Sequence, residues 1–509
     1  MLELSAETRA RDLAAMSDGV LDVLVIGGGI VGAGVALDAA SRELRVGLVE
    51  GEDFASGTSG RSSRMIHGGA RYLQHGDVGL VYEALRERHL LLRLAPHLVR
   101  PLSFVVPLRR FAARTAMRTG LTVYDGLAAG RNIGHHRAVS EEEMAAVAPG
   151  LVRPSAGYRY WDCRTDDARL VIEVLRVAVA FGALLANRAR VVTLLGEGRV
   201  GGARVQDTVS GQQLDVRARI VVNATGVWAS GVQSMAGTRP PRLRPSKGVH
   251  LVLDRARLPV GAAVLVPSVA RDGSLIFAVP WGPRVIAGTT DTPYDGPLGS
   301  PTVGPEDAAV VLESIDHAFG LGLTDSDVRA SWAGVRSLLD TGHGSTRDIS
   351  RRHVILDSSP GLIGVTGGKL TTYRRMAEQV VDRVCAVLAS GERCRTRQLP
   401  LGLSRPLGPE LARAESVLGG LGMSPETGRR LVERYGDDWT AAVDLIRDEP
   451  NLGGPMVEGL PVLRVEALLA TRREMAMTED DVLVRRTRLA TMDRAAADAL
   501  SDRAPIPRR

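Results

Sequence analysis

Three glycines and an acid carry the first chemistry in this sequence. Gly27, Gly29 and Gly32 stand in G-x-G-x-x-G spacing, and Glu50 follows them at about 20 residues, where a carboxylate can accept from ribose hydroxyls. A glycine at 27 lets the chain turn sharply, one at 29 lets a pyrophosphate approach the backbone, and one at 32 lets helix and strand pack closely. A helix starting at Ile30 offers free N–H groups and a partial positive charge to phosphate. Together these predict a dinucleotide site. The loop that follows, 51–77, is rich in Ser, Thr, Gly and Arg. Arg61, Arg64, His67 and Arg71 cluster there, beside Ser62, Ser63 and Gly68, and suit the loop to wrapping a cofactor. Far along the chain, Gly367, Gly368 and Lys369 precede another helical pattern and predict a second anion site.

The elements that must position these groups are legible from periodicity. A buried strand at 23–26, a helix at 30–41 and a strand at 45–49 form the βαβ unit around the glycines. Gly196, Gly198 and Gly201 repeat the same spacing, but short strand-like runs flank them and no helix follows, so they read as a hairpin turn. A helix is expected at 78–94. The stretch 102–121 is basic and apolar by turns, with Arg110, Arg114 and Arg118 on one helical face suited to anionic lipid or to solvent. Strands are expected at 191–195 and from 219 into a small-residue turn at Ala224, Thr225 and Gly226, where backbone could approach the same cofactor again. Short strands between 243 and 290 predict an antiparallel sheet. The helix after Lys369 carries Met376, Val380, Val384 and Leu388 on one face, and beyond 408 the pattern is amphipathic helix.

At 509 residues the chain has room for two or three domains. Its net charge of +6 comes almost wholly from arginine and suits anionic small molecules or a membrane surface rather than nucleic acid. Cys163, Cys385 and Cys394 form no C-x-x-C or metal spacing and are expected as reduced thiols in a cytoplasmic setting. The polar N-terminus does not read as a signal peptide, and no apolar run is long enough to span a bilayer.

From about residue 22 to 500 the chain resembles the FAD-dependent glycerol-3-phosphate dehydrogenases of the aerobic respiratory type. The resemblance rests on IGGGIVGAGVALDAA, SSRMIHGGARYL, DCRTDDARL, VVNATGVW, KGVHLVL, AGTTDT, GVRSLLD, the pair Arg347-Asp348 and TGGKLTTYRRMAE, with a C-terminal RREMAMTEDDVLVRRTRL. Arg64, Met65 and Ala70 stand where the family usually has Lys, Leu and Leu, and Ser337 where it has Pro. The implied fold is α/β: a Rossmann-like FAD-binding domain of the glutathione-reductase and D-amino-acid-oxidase type, an antiparallel β-sheet substrate domain and a C-terminal helical cap. The expected boundaries are 1–19 for an N-terminal extension, 20–105, 150–236 and 337–390 for the FAD domain, 106–149 and 237–336 for the substrate domain, 391–408 for a linker and 409–509 for the cap.

The resemblance implies oxidation of sn-glycerol 3-phosphate to dihydroxyacetone phosphate, with hydride passing to FAD and electrons to membrane quinone at the cytoplasmic face. It leaves room for a homodimer. FAD binding would fall to Gly27, Gly29, Ile30, Gly32, Glu50, Ser62, Ser63, His67 and Gly68. Val191, Ala224, Thr225 and Gly226 would lie on the adenosine side, and Gly367, Gly368, Lys369, Leu370 and Thr371 at the second glycine turn. The family pattern assigns the substrate phosphate to arginines matching Arg71, Arg336 and Arg347, with Tyr72 and Thr290 as further contacts. It makes His250 the proton acceptor, with Arg336 and Lys369 stabilising charge. His67 could attach flavin covalently, but noncovalent FAD is expected. The alternatives are an oxidase that gives electrons to O2, another D-amino-acid-oxidase-type flavoenzyme, or a non-catalytic flavin-binding protein. Use of NAD is disfavoured because no second complete nucleotide-binding βαβ unit follows.

Overall fold

The computed structural model describes residues 3–238, 242–270, 273–340 and 353–502. Val20–Ile26 forms the central strand of a sheet in the order His353–Ser359, Leu362–Gly367, Gln213–Asn223, Val20–Ile26, Val46–Val49, Leu184–Ala186. All neighbours are parallel except the antiparallel edge strand His353–Ser359. Parallel strands buried on both faces favour unbroken apolar runs, and Val23, Leu24 and Val25 are fully buried. Helices Ile30–Ser41, Asp167–Ala180 and Tyr373–Leu388 pack on one face. Gly34 allows this, since a Cβ there would sit 2.9 Å from the Tyr373 ring.

The opposite face is covered by the hairpin Ala189–Leu195 and Gly202–Asp207 and by helix Ala6–Ser17. The repeated glycine spacing at 196–201 is therefore the turn of a hairpin. The N-terminal extension expected at 1–19 is largely helix Ala6–Ser17, packed onto the domain. Leu13 and Met16 are buried against the sheet, Arg9 donates to the Asn187 carbonyl at 2.8 Å, and Asp12 accepts from the Leu185 amide at 3.1 Å.

The second sheet runs Thr292–Pro293, Ser246–Asp254, Arg284–Gly288, Leu275–Trp281, Ala263–Pro267, Arg100–Pro107, Gly157–Arg164, Met65–Ile66. Strand Val328–Arg336 also pairs with Ser246–Asp254, and Arg137–Val139 with Gly157–Arg164. Three expectations change here. Residues 100–107 are strand, with helix only from Phe111 to Leu127, because the β-branched run at 105–106 alternates between faces and Pro107 ends it. Residues 157–164, expected in the first domain, belong to this sheet. The sheet is also not wholly antiparallel, since Ala263–Pro267 runs parallel to Arg100–Pro107.

Helices Leu407–Gly419, Pro425–Tyr435, Trp439–Asp448 and Arg464–Arg473 gather around Trp439 and Leu431 as a C-terminal domain with its own core. It is knitted to the first domain by buried ion pairs rather than standing apart. Arg486 bridges to Asp53 at 2.8 and 2.9 Å, Arg434 reaches Asp166 at 3.1 Å, and Arg169 pairs with Glu474. All three cysteines are free thiols.

Candidate functional site

One large cavity, about 1350 Å³, opens where the two sheets and the C-terminal domain meet. Its middle is built by the glycine turn. Gly27, at φ +111°, packs so tightly on Ala224 that a Cβ would fall 2.7 Å from its carbonyl oxygen. Gly29 leaves the start of helix Ile30–Ser41 open to the cavity, and Ser59 Oγ accepts from the Ile30 amide at 2.9 Å. Gly32 is not on the cavity wall: a Cβ there would lie 1.9 Å from the Gly27 carbonyl, so its absence closes helix onto strand.

Glu50 closes one end. Its carboxylate accepts from the Gly28 amide at 2.7 Å and the Glu52 amide at 2.8 Å. Burial nevertheless pushes it above the ordinary carboxylate range, against the lowering effect of those amides. Val191, Ala224, Thr225 and Gly226 line the same wall, and the space before Gly226 is open, with no atom within 4 Å of a Cβ built there.

The other end gathers ionisable groups. His250, on strand Ser246–Asp254, is 3% exposed, and its Nε2 lies 2.8 Å from Ser63 Oγ. Burial first, and then the cations Arg336 and Arg64, push its pKa down to about 3, so the ring is neutral at physiological pH. Its Nδ1 has no hydrogen-bond partner among the described residues. Arg336, at the end of strand Val328–Arg336, donates to Thr289 Oγ1 at 3.1 Å, the Thr290 carbonyl at 3.0 Å and Ser246 Oγ at 3.3 Å. Asp291 lies 3.5 Å from it. Lys369 follows Gly367 and Gly368, both at positive φ, and a short 3₁₀ turn at Leu370–Thr372 separates it from helix Tyr373–Leu388. Thr371 Oγ1 both accepts from the His67 amide at 3.1 Å and donates to the His67 carbonyl at 3.2 Å, which ties this turn to the first loop.

Ile30, Ser62, Ser63, His67, Tyr72, His250, Arg336 and residues 367–371 thus share one cavity wall with the glycine turn. Besides Gly32, three expected contacts do not lie on it, and a fourth is not described. Gly68 is turned inward, its amide donating to Tyr124 Oη at 3.0 Å and Asp162 at 3.1 Å. Thr290 accepts from the Val249 amide at 3.1 Å and so braces the strand. Arg71 is exposed and off the wall. Arg347 lies outside the described residues.

Residues 22–374 match the family described as FAD dependent oxidoreductase, and residues 367–504 match the C-terminal domain of alpha-glycerophosphate oxidase. Glycerol-3-phosphate dehydrogenase 2 of Mycobacterium tuberculosis is 39% identical over 92% of this chain and 81% of its own length. The chain belongs to the FAD-dependent glycerol-3-phosphate dehydrogenase family. The aerobic glycerol-3-phosphate dehydrogenase of Bacillus subtilis is 36% identical over 95% of this chain and 90% of its own. The solved glycerol-3-phosphate dehydrogenase of Bacillus halodurans, complexed with FAD, superposes with a TM-score of 0.79 at 32% identity, covering 98% of this chain and 93% of that one.

FAD is therefore the cofactor, and the cavity fits it chemically: a buried carboxylate at one end, amides of a helix start in the middle, neutral and cationic donors at the other. The cavity also takes in residues that the motifs alone did not single out. Thr478, Glu479, Asp480 and Arg485 of the C-terminal domain reach the wall beside Glu50, as do Arg188 and Arg190. No spacing rule links positions 478–485 to a glycine turn 450 residues earlier, at 27–29; only the folded contact does.

Proposed function

We propose that the protein oxidises the C2 hydroxyl of sn-glycerol 3-phosphate to the ketone of dihydroxyacetone phosphate, with a membrane quinone as electron acceptor. The observation that carries this reading is the convergence of neutral His250, Arg336 and Lys369 at one end of the FAD cavity. Relatives named glycerol-3-phosphate dehydrogenase support it, and FAD when bound supplies the hydride acceptor. His250 takes the hydroxyl proton: its neutral ring keeps a lone pair available, and its Nδ1 has no hydrogen-bond partner among the described residues. Arg336 grips the phosphate with a guanidinium whose plane is fixed by Thr289 and Thr290. Tyr72, on the same wall, completes the grip on substrate with Arg347, which the family pattern assigns to the phosphate, and Lys369 offsets negative charge that develops as the alcohol is oxidised.

Among the described residues, no helix is long and apolar enough to cross a membrane. Peripheral contact is supported by helix Phe111–Leu127, where Phe111 is 82% exposed beside exposed Arg109, Arg110 and Arg118. The test is anaerobic mixing of the FAD-loaded protein with sn-glycerol 3-phosphate while following oxidised-flavin absorbance. Rapid bleaching is expected; its absence overturns the substrate assignment. A second reading, with O2 as acceptor, is favoured by the oxidase name of the matched C-terminal family. Peroxide formed in step with turnover in air, and no stimulation by a quinone analogue, would select it.

A further inference from the structure

Arg64 stands where the family usually carries lysine, and its surroundings use the planarity that distinguishes a guanidinium. Its side chain is 5% exposed. The guanidinium carbon lies 4.1 Å from the centroid of Trp281 and 4.7 Å from that of Trp332. Trp332 is also stacked on His250, with ring centroids 4.9 Å apart and planes 13° from parallel. One indole thus contacts both a buried cation and the cavity imidazole.

The same arginine is held from outside the sheet. Its Nη2 donates to Thr491 Oγ1 at 3.0 Å, while Nε and Nη1 have no hydrogen-bond partner among the described residues. Thr491 Oγ1 donates in turn to the Arg488 carbonyl at 3.0 Å. Arg488 reaches the other end of the loop, donating to the Gly60 carbonyl at 3.1 Å and pairing with Asp167. Asp167 accepts from the Ser62 amide at 2.9 Å and from Ser62 Oγ at 2.7 Å, and Ser62 Oγ accepts from the Arg64 amide at 3.0 Å. Trp332 Nε1 closes the ring by donating to the Ser62 carbonyl at 3.3 Å. Between Ser62 and Arg64 sits Ser63, the hydrogen-bond partner of His250.

We propose that Arg64 is a positioning residue for His250: through Trp332 and the Ser62–Ser63 backbone it holds the imidazole flat, neutral and in register with Ser63, and the Arg488–Thr491 turn of the C-terminal domain holds Arg64. The proposal rests on the reading of His250 as proton acceptor. Two aromatic faces shelter the guanidinium from the cost of burial. Its charge and that of Arg336, on the adjacent strand, oppose protonation of the ring. Ser63 and Trp332 bring no charge. Lys369, His67 and Glu50 share the cavity wall, Asp291 is committed to Arg336, and Asp166 and Asp167 to Arg488. The C-terminal domain is on this account part of the reaction site.

The test compares the FAD-loaded wild type with Arg64→Met, Arg64→Lys and Thr491→Val. Each is read by the rate of anaerobic flavin reduction against pH, the saturation constant for sn-glycerol 3-phosphate, and melting temperature. The wild type should have no acid limb in the range of about pH 5.5–7, because its histidine stays neutral there. In Arg64→Met the acid limb, followed down to about pH 4, should move to higher pH than in the wild type because one of two cations is gone, yet stay below about pH 5.5 because burial and Arg336 remain, with the saturation constant within about threefold. Arg64→Lys should return the limb toward its wild-type position by restoring charge, without recovering the full rate. Thr491→Val, which leaves the stack in place, should show a smaller shift of the limb and serves if Arg64→Met does not fold. A profile scaled down evenly at all pH values, alongside a lower melting temperature, would overturn the proposal and leave Arg64 a packing residue. His250→Gln separates the two readings: wild-type reduction in that variant removes the proton acceptor itself, whereas loss there with no shift of the limb in the arginine and threonine variants removes only the positioning role.

Discussion

The ammonium of Lys369 lies 3.6 Å from the centroid of the Tyr72 ring. Two segments nearly 300 residues apart, at positions 72 and 369, meet there, and Gly69 makes the meeting possible: a Cβ on it would fall 2.4 Å from the Tyr72 ring. The chain has only two lysines, Lys247 and Lys369, amid a large excess of arginine. An ammonium over an aromatic face is a compact charge, fixed in place by up to about 2 kcal/mol when desolvated. Tyr72→Phe keeps that face and should reduce flavin at close to the wild-type rate. Tyr72→Leu removes it and should slow reduction up to about 30-fold with FAD still bound, by stopped-flow absorbance. Equal rates in both variants would show that the ring does not hold Lys369 in its working position.

Replacing His250 by Gln removes the neutral base while keeping a group of similar reach beside Ser63. Flavin reduction should fall by about 10²-fold or more, the usual range for loss of a general base, with FAD content unchanged by absorbance ratio. Because Arg336 is untouched, the saturation constant for substrate should move little. Arg336→Ala should do the reverse first, weakening substrate binding by tens-fold, since a charge-assisted bond contributes about 2 to 3 kcal/mol.

How much of this was legible beforehand depends on how local the cause was. The turn of Gly27, Gly29 and Gly32 obeys sterics within ten residues, so strand, helix and glycine roles follow from spacing, including the distinction from Gly196, Gly198 and Gly201. The strand at Arg100–Pro107 was hidden because its partner, Gly157–Arg164, lies 50 residues on, and sheet pairing leaves no mark in a local helical period. Gly68 and Thr290 sit in motifs beside cavity residues, yet their polar atoms answer Asp162 and the Val249 amide; a motif gives proximity but not the direction a group faces. The approach of Arg485 to the cavity depends on Asp53, a pairing across more than 400 positions that only the completed fold sets up.

Two buried histidines give the fold a defined acid sensitivity. His97 is 1% exposed, both its ring nitrogens lack hydrogen-bond partners among the described residues, and burial, then Arg169, pushes its pKa down to about 3, the value His250 also has. The ordinary value is 6.5, so between 6.5 and about 3 the unfolded chain binds protons that the folded chain refuses. Their contribution to stability is whole above the upper value and is lost as pH falls toward the lower, at up to about 1.4 kcal/mol per pH unit for each ring. Urea midpoints at successive pH values should fall accordingly below neutrality. His97→Leu should fall less steeply than wild type, by roughly 1 kcal/mol per unit. Parallel curves would mean that His97 does not gain a proton on unfolding.

Asp53 and Arg486 join the two ends of the sequence inside the protein. Both side chains are fully buried, and the guanidinium makes bonds of 2.8 and 2.9 Å to the two carboxylate oxygens. The cations Arg486 and Arg485 hold the Asp53 carboxyl far below its usual range, against the effect of burial. Removing Arg486 leaves the Asp53 carboxylate with Arg485 and the Asn187 amide but strips two buried charge-assisted bonds from it, a loss of about 3 kcal/mol, whereas exchanging both for apolar groups costs less because Arg485 keeps Asp481. Arg486→Met should therefore lower the unfolding free energy by that amount, and Asp53→Leu with Arg486→Met should recover much of it. The loss should also reach the cofactor. Phe54, next to Asp53, closes on the glycine turn so tightly that a Cβ on Gly28 would be 2.6 Å from its ring, and the Ala55 amide donates to the Gly28 carbonyl at 3.1 Å. FAD should thus bind Arg486→Met several-fold more weakly in fluorescence titrations at temperatures where the variant is still folded. Unchanged FAD affinity in a destabilised variant would separate the ion pair from the cofactor site.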